Sequence, residues 1–193
     1  MHPMAATLIL LLLLLVATIT DWRVGKIFNW TVYPGILLAL GANALGSVIQ
    51  IDERWADQAD VLGLVGFGDS LAGFAACGAV MLVCYVLFAG GVGGGDLKLL
   101  AMIGAFWGLQ RGLEAMLWTL VIGGCLALIR LVWQIGAGRL VAQSAKYVWQ
   151  ILRTGIASVP NEEERRLLKT PLNLAPSAAL AVLVVQFQLL AWF

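Results

Sequence analysis

The sequence predicts an all-α membrane protein with about six transmembrane helices. Hydrophobic residues make up 61% of the 193 residues and charged residues only 12%, whereas ordinary soluble domains contain roughly 25% charged residues. The mean hydropathy is +0.92. The 22 glycines are spread through the apolar stretches, which suits close helix contacts in lipid. We therefore expect one polytopic domain over residues 1–193.

Six segments are apolar enough to cross the bilayer, because a spanning helix needs about 20 largely apolar residues and shorter spans form beside polar or thinned regions. The fourth follows a glycine-rich run and is short, so we expect it to be the least regular. The six predicted spans are Met4–Thr20, Thr31–Ile49, Leu71–Gly90, Asp96–Gln110, Leu113–Ile135 and Leu172–Phe193.

The loop of residues 136–170 is the longest between these spans. Apolar residues recur in it at helical spacing, basic residues repeat every seven positions, and Trp149 lies among them. This pattern predicts an amphipathic helix in the cytoplasmic headgroup layer. A solvated linker helix is the alternative interpretation.

The positions of the basic residues predict the orientation, because Lys and Arg are kept on the cytoplasmic side of short loops. Two basic residues, Arg54 and Arg111, fall on one side of the predicted membrane. The other ten fall on the opposite side: Arg23, Lys26, Lys98, Arg130, Arg139, Lys146, Arg153, Arg165, Arg166 and Lys169. Both termini are therefore expected outside. The net charge of +1 gives no field that would recruit nucleic acid.

Ionisable side chains at membrane depth cost at least about 2.5 to 3.5 kcal/mol each, so they are candidates for function. Asp21 ends the first predicted span and Asp96 opens the fourth. The predicted topology puts both at the cytoplasmic rim. One carboxylate of such a pair can take a proton from water while the other, still protonated, polarises a scissile carbonyl. The pair therefore predicts aspartyl protease chemistry.

Three glycines, Gly93 to Gly95, come directly before Asp96. Glycine permits a positive φ, and it leaves room for an extended peptide to lie against the backbone. The same Gly-x-Gly-Asp pattern occurs at residues 66–69. Because Asp69 falls at the outer end of its predicted span, we expect it to cap its own helix.

Two polar residues beside the acids have two interpretations each. Lys98 either supports a nearby aspartate or the substrate, or extends its ammonium to the membrane interface. Asn29 either fixes the turn after the first span or contacts the substrate.

Metal and cofactor chemistry is poorly supported by the sequence. The cysteines Cys77, Cys84 and Cys125 form no CxxC pair, and His2 is the one histidine, so we expect no metal and no cofactor. A small transporter that moves protons or cations through the same two carboxylates is the alternative function. That alternative predicts internal repeats, which the sequence lacks.

Three stretches together resemble the type IV prepilin peptidases. Residues 21–29, DWRVGKIFN, resemble the Asp-x-Arg-x-x-x-Ile-Pro-Asn stretch after the first helix of that family, with Phe28 in the place of the proline. Residues 93–106, GGGDLKLLAMIGAF, resemble the second aspartate motif. Residues 171–180, PLNLAPSAAL, are similar to the start of the last helix. Two aspartate motifs at this separation are far more specific than either alone.

The resemblance implies that Asp21 and Asp96 are the catalytic pair of a GxGD-type membrane aspartyl endopeptidase. It implies four supporting residues: Gly93, Gly95, Lys98 and Asn29. The implied substrates are prepilin-like precursors in the bacterial inner membrane, whose short basic leader is cut on the cytoplasmic side. Longer family members carry an N-terminal segment with paired CxxC motifs and also methylate the product.

This sequence has neither the segment nor the cysteines, so cleavage without methylation is expected, as in the short peptidases that serve Flp or tight-adherence pili. The expected partners are the precursor and membrane lipid. The sequence leaves the oligomeric state open.

Overall fold

The computed structural model describes residues 4–49, 62–87, 93–136 and 174–187, with single positions at 138, 149 and 153. Within these ranges the chain is helical and has no strand, which confirms the all-α class for this part of the chain. The five helices are α1 (Met4–Val24), α2 (Asn29–Ile49), α3 (Phe67–Leu87), α4 (Gly94–Ile135) and α5 (Leu174–Gln186).

Four of these helices, α1 to α4, are long and apolar enough to cross a membrane. The described part of α5 is apolar but shorter. The expected helix within residues 136–170 lies almost wholly outside the described residues, as does the end of the sixth predicted span. The count of six spans and the interfacial helix therefore stay predictions.

The long helix α4 is broken at Gly108, which has φ 75° and ψ −170°. A Cβ placed on Gly112 would come within 2.8 Å of the Gly104 Cα. Eight residues of straight helix would separate these two positions by about 12 Å. The chain therefore folds back at Gly108, and α4 consists of a first segment (94–107) and a second segment (109–135). The break falls close to the boundary predicted between the fourth and fifth spans.

The break separates Leu109 N–H from the Ala105 carbonyl oxygen, to which it would donate in a straight helix. Leu109 N instead donates to Asp69 Oδ1 at 3.2 Å. The Ala105 oxygen accepts from Ser70 Oγ at 2.5 Å and from Asn43 Nδ2 at 3.2 Å. Side chains of α2 and α3 thus satisfy both of these groups.

The expected role of Asp69 is wrong in one respect. Its carboxylate caps the second segment of α4, whereas the first N–H of α3, from Phe67, donates to Ser47 Oγ at 2.7 Å.

Leu109, which donates to Asp69, comes thirteen residues after Asp96, so the helical rise puts Asp69 about 20 Å from Asp96. The two Gly-x-Gly-Asp motifs therefore lie at opposite ends of the first segment of α4, in agreement with their predicted separation.

The first segment of α4 forms the core of the helical bundle. Every residue with a side chain from Leu99 to Trp107 is at most 4% exposed, as expected for a helix that is apolar on all sides. The helix α1 packs against α2 and α5, and α2 packs against α3. A Cβ on Gly35 of α2 would lie 3.0 Å from Leu13 Cδ1 and would meet the Met102 side chain. Glycine thus lets three helices approach closely beneath Asp96.

By its contacts the chain divides into two units, one of residues 1–122 with 173–193 and one of residues 123–172. The first unit contains the core and all the acidic residues discussed above. The second is described mainly by the end of α4, where Leu128, Ile129 and Trp133 are exposed.

Candidate active site

Asp21 lies in the last turn of α1, which runs four residues past the predicted end of the first span. The helix ends at Gly25, where φ is 64° and the N–H donates to the Asp21 carbonyl oxygen at 2.8 Å. A left-handed glycine is a common helix terminator. The Asp21 side chain is only 6% exposed, so the helix end buries a carboxyl.

The start of α5 supplies a partner to this carboxyl. Ala175 N donates to Asp21 Oδ2 at 3.4 Å. The first N–H groups of a helix have no partner within it and carry partial positive charge, which suits a carboxylate. Sequence reasoning missed Ala175, because a backbone donor has no side-chain signature. The similarity of residues 171–180 to the last helix of the family was the one available signal.

Asp96 lies in the first turn of α4 and is 8% exposed. Its Oδ2 accepts from Gly93 N at 3.2 Å, and the Gly93 carbonyl oxygen accepts from Asp96 N at 3.1 Å. A side chain that reaches back to the N–H just before its helix is half of a capping box. This local arrangement fixes the position of the Asp96 carboxyl at the helix start.

The glycines before Asp96 let neighbouring side chains lie close to the backbone. The positive φ that glycine permits is not used at Gly93 to Gly95, whereas Gly25 near this end has a positive φ. A Cβ on Gly93 would lie 2.9 Å from Asp96 Oδ2, and one on Gly95 would lie 3.0 Å from Ile27 Cβ. Gly93 therefore leaves room for the Asp96 carboxyl, and Gly95 leaves room for the Ile27 side chain.

Lys98 and Asn29 are brought together. Lys98 Nζ donates to Asn29 Oδ1 at 2.9 Å and lies 4.9 Å from the centre of the Tyr33 ring, within the range of a cation–π contact. Asn29 is the first residue of α2. The Lys98 side chain thus connects the start of α4 to the start of α2.

The structure places Asp21 and Asp96 at the same end of the bundle, where α1 ends and α2, α4 and α5 begin. The two carboxyls are close enough for their charges to interact. Within the described residues, no group of three or more His, Cys, Asp or Glu side chains could hold a metal ion. The chemistry available from this arrangement is proton transfer between two carboxyls and water.

Membrane-length helices and a buried acidic pair at one end are the features of a polytopic membrane protein with a buried carboxyl site. The model of the type IV leader peptidase family matches residues 8–128, more than half of the chain and a range that includes Asp21 and Asp96. The chain therefore belongs to the type IV leader peptidase family.

Membership of this family confirms the resemblance seen in the sequence. It indicates a protease and does not favour the transporter alternative. Neither the curated proteins nor the solved structures contain a significant match.

Proposed function

We propose that this protein is an aspartyl endopeptidase that removes the short basic leader from prepilin-like precursors. The cut would be made at the cytoplasmic face of the bacterial inner membrane, without a cofactor. The observation that carries the proposal is the pair of buried carboxyls, Asp21 and Asp96, at one end of the bundle and inside the range matched by the family. The family supports the reaction class, and the pair supplies groups suited to it.

The proposed reaction is water attack on a peptide bond. One carboxylate takes a proton from water, whose oxygen bonds to the scissile carbonyl carbon, while the protonated carboxyl gives its proton to the carbonyl oxygen. The C–N bond of the tetrahedral intermediate then breaks. The amine leaves with a proton from the first carboxyl, and one hydroxyl of the intermediate returns its proton to the second carboxylate. Proton gain and loss balance over the cycle, so two carboxyls and one water suffice.

The edge formed by Gly93 and Gly94 is the proposed path of the substrate backbone. Both residues are exposed, and a Cβ on Gly94 would have nothing within 4 Å. An extended peptide could therefore approach Asp96 from this side without meeting a side chain of the glycine run. Lys98 and Asn29 are proposed to hold the two acid-bearing stretches in register.

The test is cleavage of a type IV prepilin co-expressed with the chain, followed by mass spectrometry of the pilin. Asp21→Asn and Asp96→Asn should each lower the cleavage rate at least about 1000-fold, as the loss of a member of a catalytic unit does. Asparagine still accepts a hydrogen bond, so the contacts with Ala175 N and Gly93 N can persist.

Asp69→Asn is the matched control, because it makes the same change at the opposite end of the bundle. Normal processing by either Asp21→Asn or Asp96→Asn at normal protein level would overturn the two-acid mechanism. The mass of the product also reports an N-terminal methyl group, which we expect to be absent because no CxxC pair occurs in the sequence.

A further inference from the structure

Thr31 carries a buried hydroxyl that the fold leaves without a partner. It lies in the first turn of α2 and is 3% exposed, and its Oγ1 has no hydrogen-bond partner within the described structure. A buried hydroxyl of this kind destabilises a fold. Thr119 shows the usual solution, since its buried Oγ1 donates to the Ala115 carbonyl oxygen of its own helix at 2.7 Å. The Thr31 hydroxyl therefore calls for a different explanation.

Thr31 lies close in height to Asp96. Along α2 it comes one helical turn before Gly35, which packs against Met102 and Leu13. With a rise of about 1.5 Å per residue, Thr31 is about 6 Å above the level of Gly35, and Asp96 is about 9 Å above Met102. Because α2 and α4 both begin at this end, the two residues differ by about half a turn in height.

Contacts made by the residues just before Thr31 support this placement. Ile27, four residues before it, packs against Gly95 beside Asp96, and Asn29 bonds to Lys98. On α1, the hydroxyl of Thr18 is also without a partner among the described residues, and Thr18 comes three residues before Asp21. Hydroxyls without partners are thus found on two of the helices that meet beneath the carboxyls.

We propose that the Thr31 hydroxyl positions the water that attacks the peptide bond, an inference that rests on the proposed endopeptidase function. An ordered water in a protein makes about three hydrogen bonds. The carboxylate of the pair accepts one hydrogen of the water, while the protonated carboxyl donates to the scissile carbonyl oxygen, so the second hydrogen of the water needs another acceptor. The Thr31 oxygen accepts the hydrogen that the water does not give to the carboxylate. This leaves a lone pair of the water oxygen directed at the carbonyl carbon, and Thr31 keeps its own proton throughout.

The test compares Thr31→Val with Thr31→Ser in the purified full chain, with a purified type IV prepilin as substrate. Valine keeps the shape and removes the hydroxyl, so kcat should fall about tenfold or more with KM within about twofold, the effect of losing one hydrogen bond to a reacting group. Serine should keep kcat within about threefold of the wild type. Thr119→Val is the matched control and should keep the wild-type kcat.

Thermal unfolding separates this role from a structural one. Because the Thr31 hydroxyl has no partner to lose, Thr31→Val should keep or raise Tm while it lowers kcat. A lower Tm together with a kcat that serine does not restore would overturn the inference. Thr31→Ser and Thr31→Ala differ by the hydroxyl alone, so this pair serves if the valine variant does not fold.

The outcomes also separate this inference from the function on which it rests. Cleavage by the wild type and by Thr31→Val at equal kcat would overturn the role of Thr31 and leave the endopeptidase function standing. Failure of the wild type to cleave, or full activity of Asp21→Asn, would overturn the proposed function and the role of Thr31 together.

Discussion

Lys98 lies two residues after Asp96, and its ammonium is held by Asn29 Oδ1 at 2.9 Å and by the Tyr33 ring. A lysine that only extends toward the interface needs no such partners. Asn29 begins α2, directly after the short loop that follows Asp21 and the end of α1. The Lys98–Asn29 bond therefore ties together the two parts of the chain that carry the acids, which favours a positioning role.

Lys98→Met and Asn29→Ser should each lower kcat about 3- to 10-fold, because each breaks the same partly exposed hydrogen bond. Serine is chosen at position 29 because it is a polar residue that suits the start of a helix but is too short to reach Lys98. The double variant should be no worse than the poorer single variant, since both remove one interaction. The measurement is a double-mutant cycle on prepilin cleavage.

Arg111→Met removes a basic side chain at the other end of the first segment of α4 and serves as the control. It should leave kcat unchanged. Additive losses in the double variant would contradict the positioning role and would mean that Lys98 and Asn29 act separately, for example on the substrate.

At the scale of the helices, the turn at Gly108 is held by two consecutive residues of α3. Asp69 accepts from Leu109 N, and Ser70 donates to the Ala105 carbonyl oxygen, so both groups freed by the missing helical bond are satisfied. A Cβ on Gly108 would contact the Asp69 carboxylate, and its φ of 75° also favours glycine. The motif at residues 66–69 therefore stabilises the turn of α4 at Gly108, and it is separate from the proposed catalytic pair.

Asp69→Ala should lower the free energy of unfolding by about 1 kcal/mol, the usual effect of losing a helix cap. Asp69→Asn should lower it less, because the amide oxygen can still accept from Leu109 N. Neither variant should abolish cleavage, since Asp69 is about 20 Å from Asp96. Unfolding in mixed micelles and prepilin cleavage measure the two quantities, and a cleavage loss in Asp69→Asn as large as in Asp96→Asn would refute this stabilising role.

The sequence predicts the apolar centres of the helices better than their ends. Hydropathy ends the first span at Thr20 and begins the third at Leu71, because Asp21 and Asp69 are read as polar boundaries. Both helices extend beyond these points. Each carboxylate is satisfied by a backbone N–H far along the chain, Ala175 for Asp21 and Leu109 for Asp69, and no local pattern records such a partner.

In the candidate site, too, features of a single segment could be predicted from the sequence, whereas contacts between helices could not. The position of each acid at a helix end follows from the apolar runs beside it, so the pair could be predicted. The close approach of Gly95 to Ile27 and the buried hydroxyl of Thr31 depend on how α1, α2 and α4 pack. Such contacts between helices are fixed by packing and have no signature within either segment.

At the scale of the whole molecule, the end of the bundle that carries the acids has the side chains of a membrane interface. Trp22 and Trp30 are 82% and 65% exposed, and Arg23 and Lys26 are exposed beside them. Tryptophan is enriched at the headgroup level, and basic residues are enriched on the cytoplasmic side. These features support a position of the acidic pair at the membrane rim, where water has access.

The orientation can be tested with two cysteines introduced singly at opposite ends of the bundle, Lys26→Cys and Arg111→Cys. Cys84 and Cys125 are first replaced by serine, whereas Cys77 is 0% exposed and is kept, with the parent variant as the control for its labelling. A membrane-impermeant maleimide added to intact cells should label Arg111→Cys and should label Lys26→Cys only after the cells are broken.

This result is expected because the excess of basic residues predicts that the Lys26 end faces the cytoplasm. Labelling of Lys26→Cys in intact cells would put the acidic pair at the outer face and would contradict cleavage of a cytoplasmic leader.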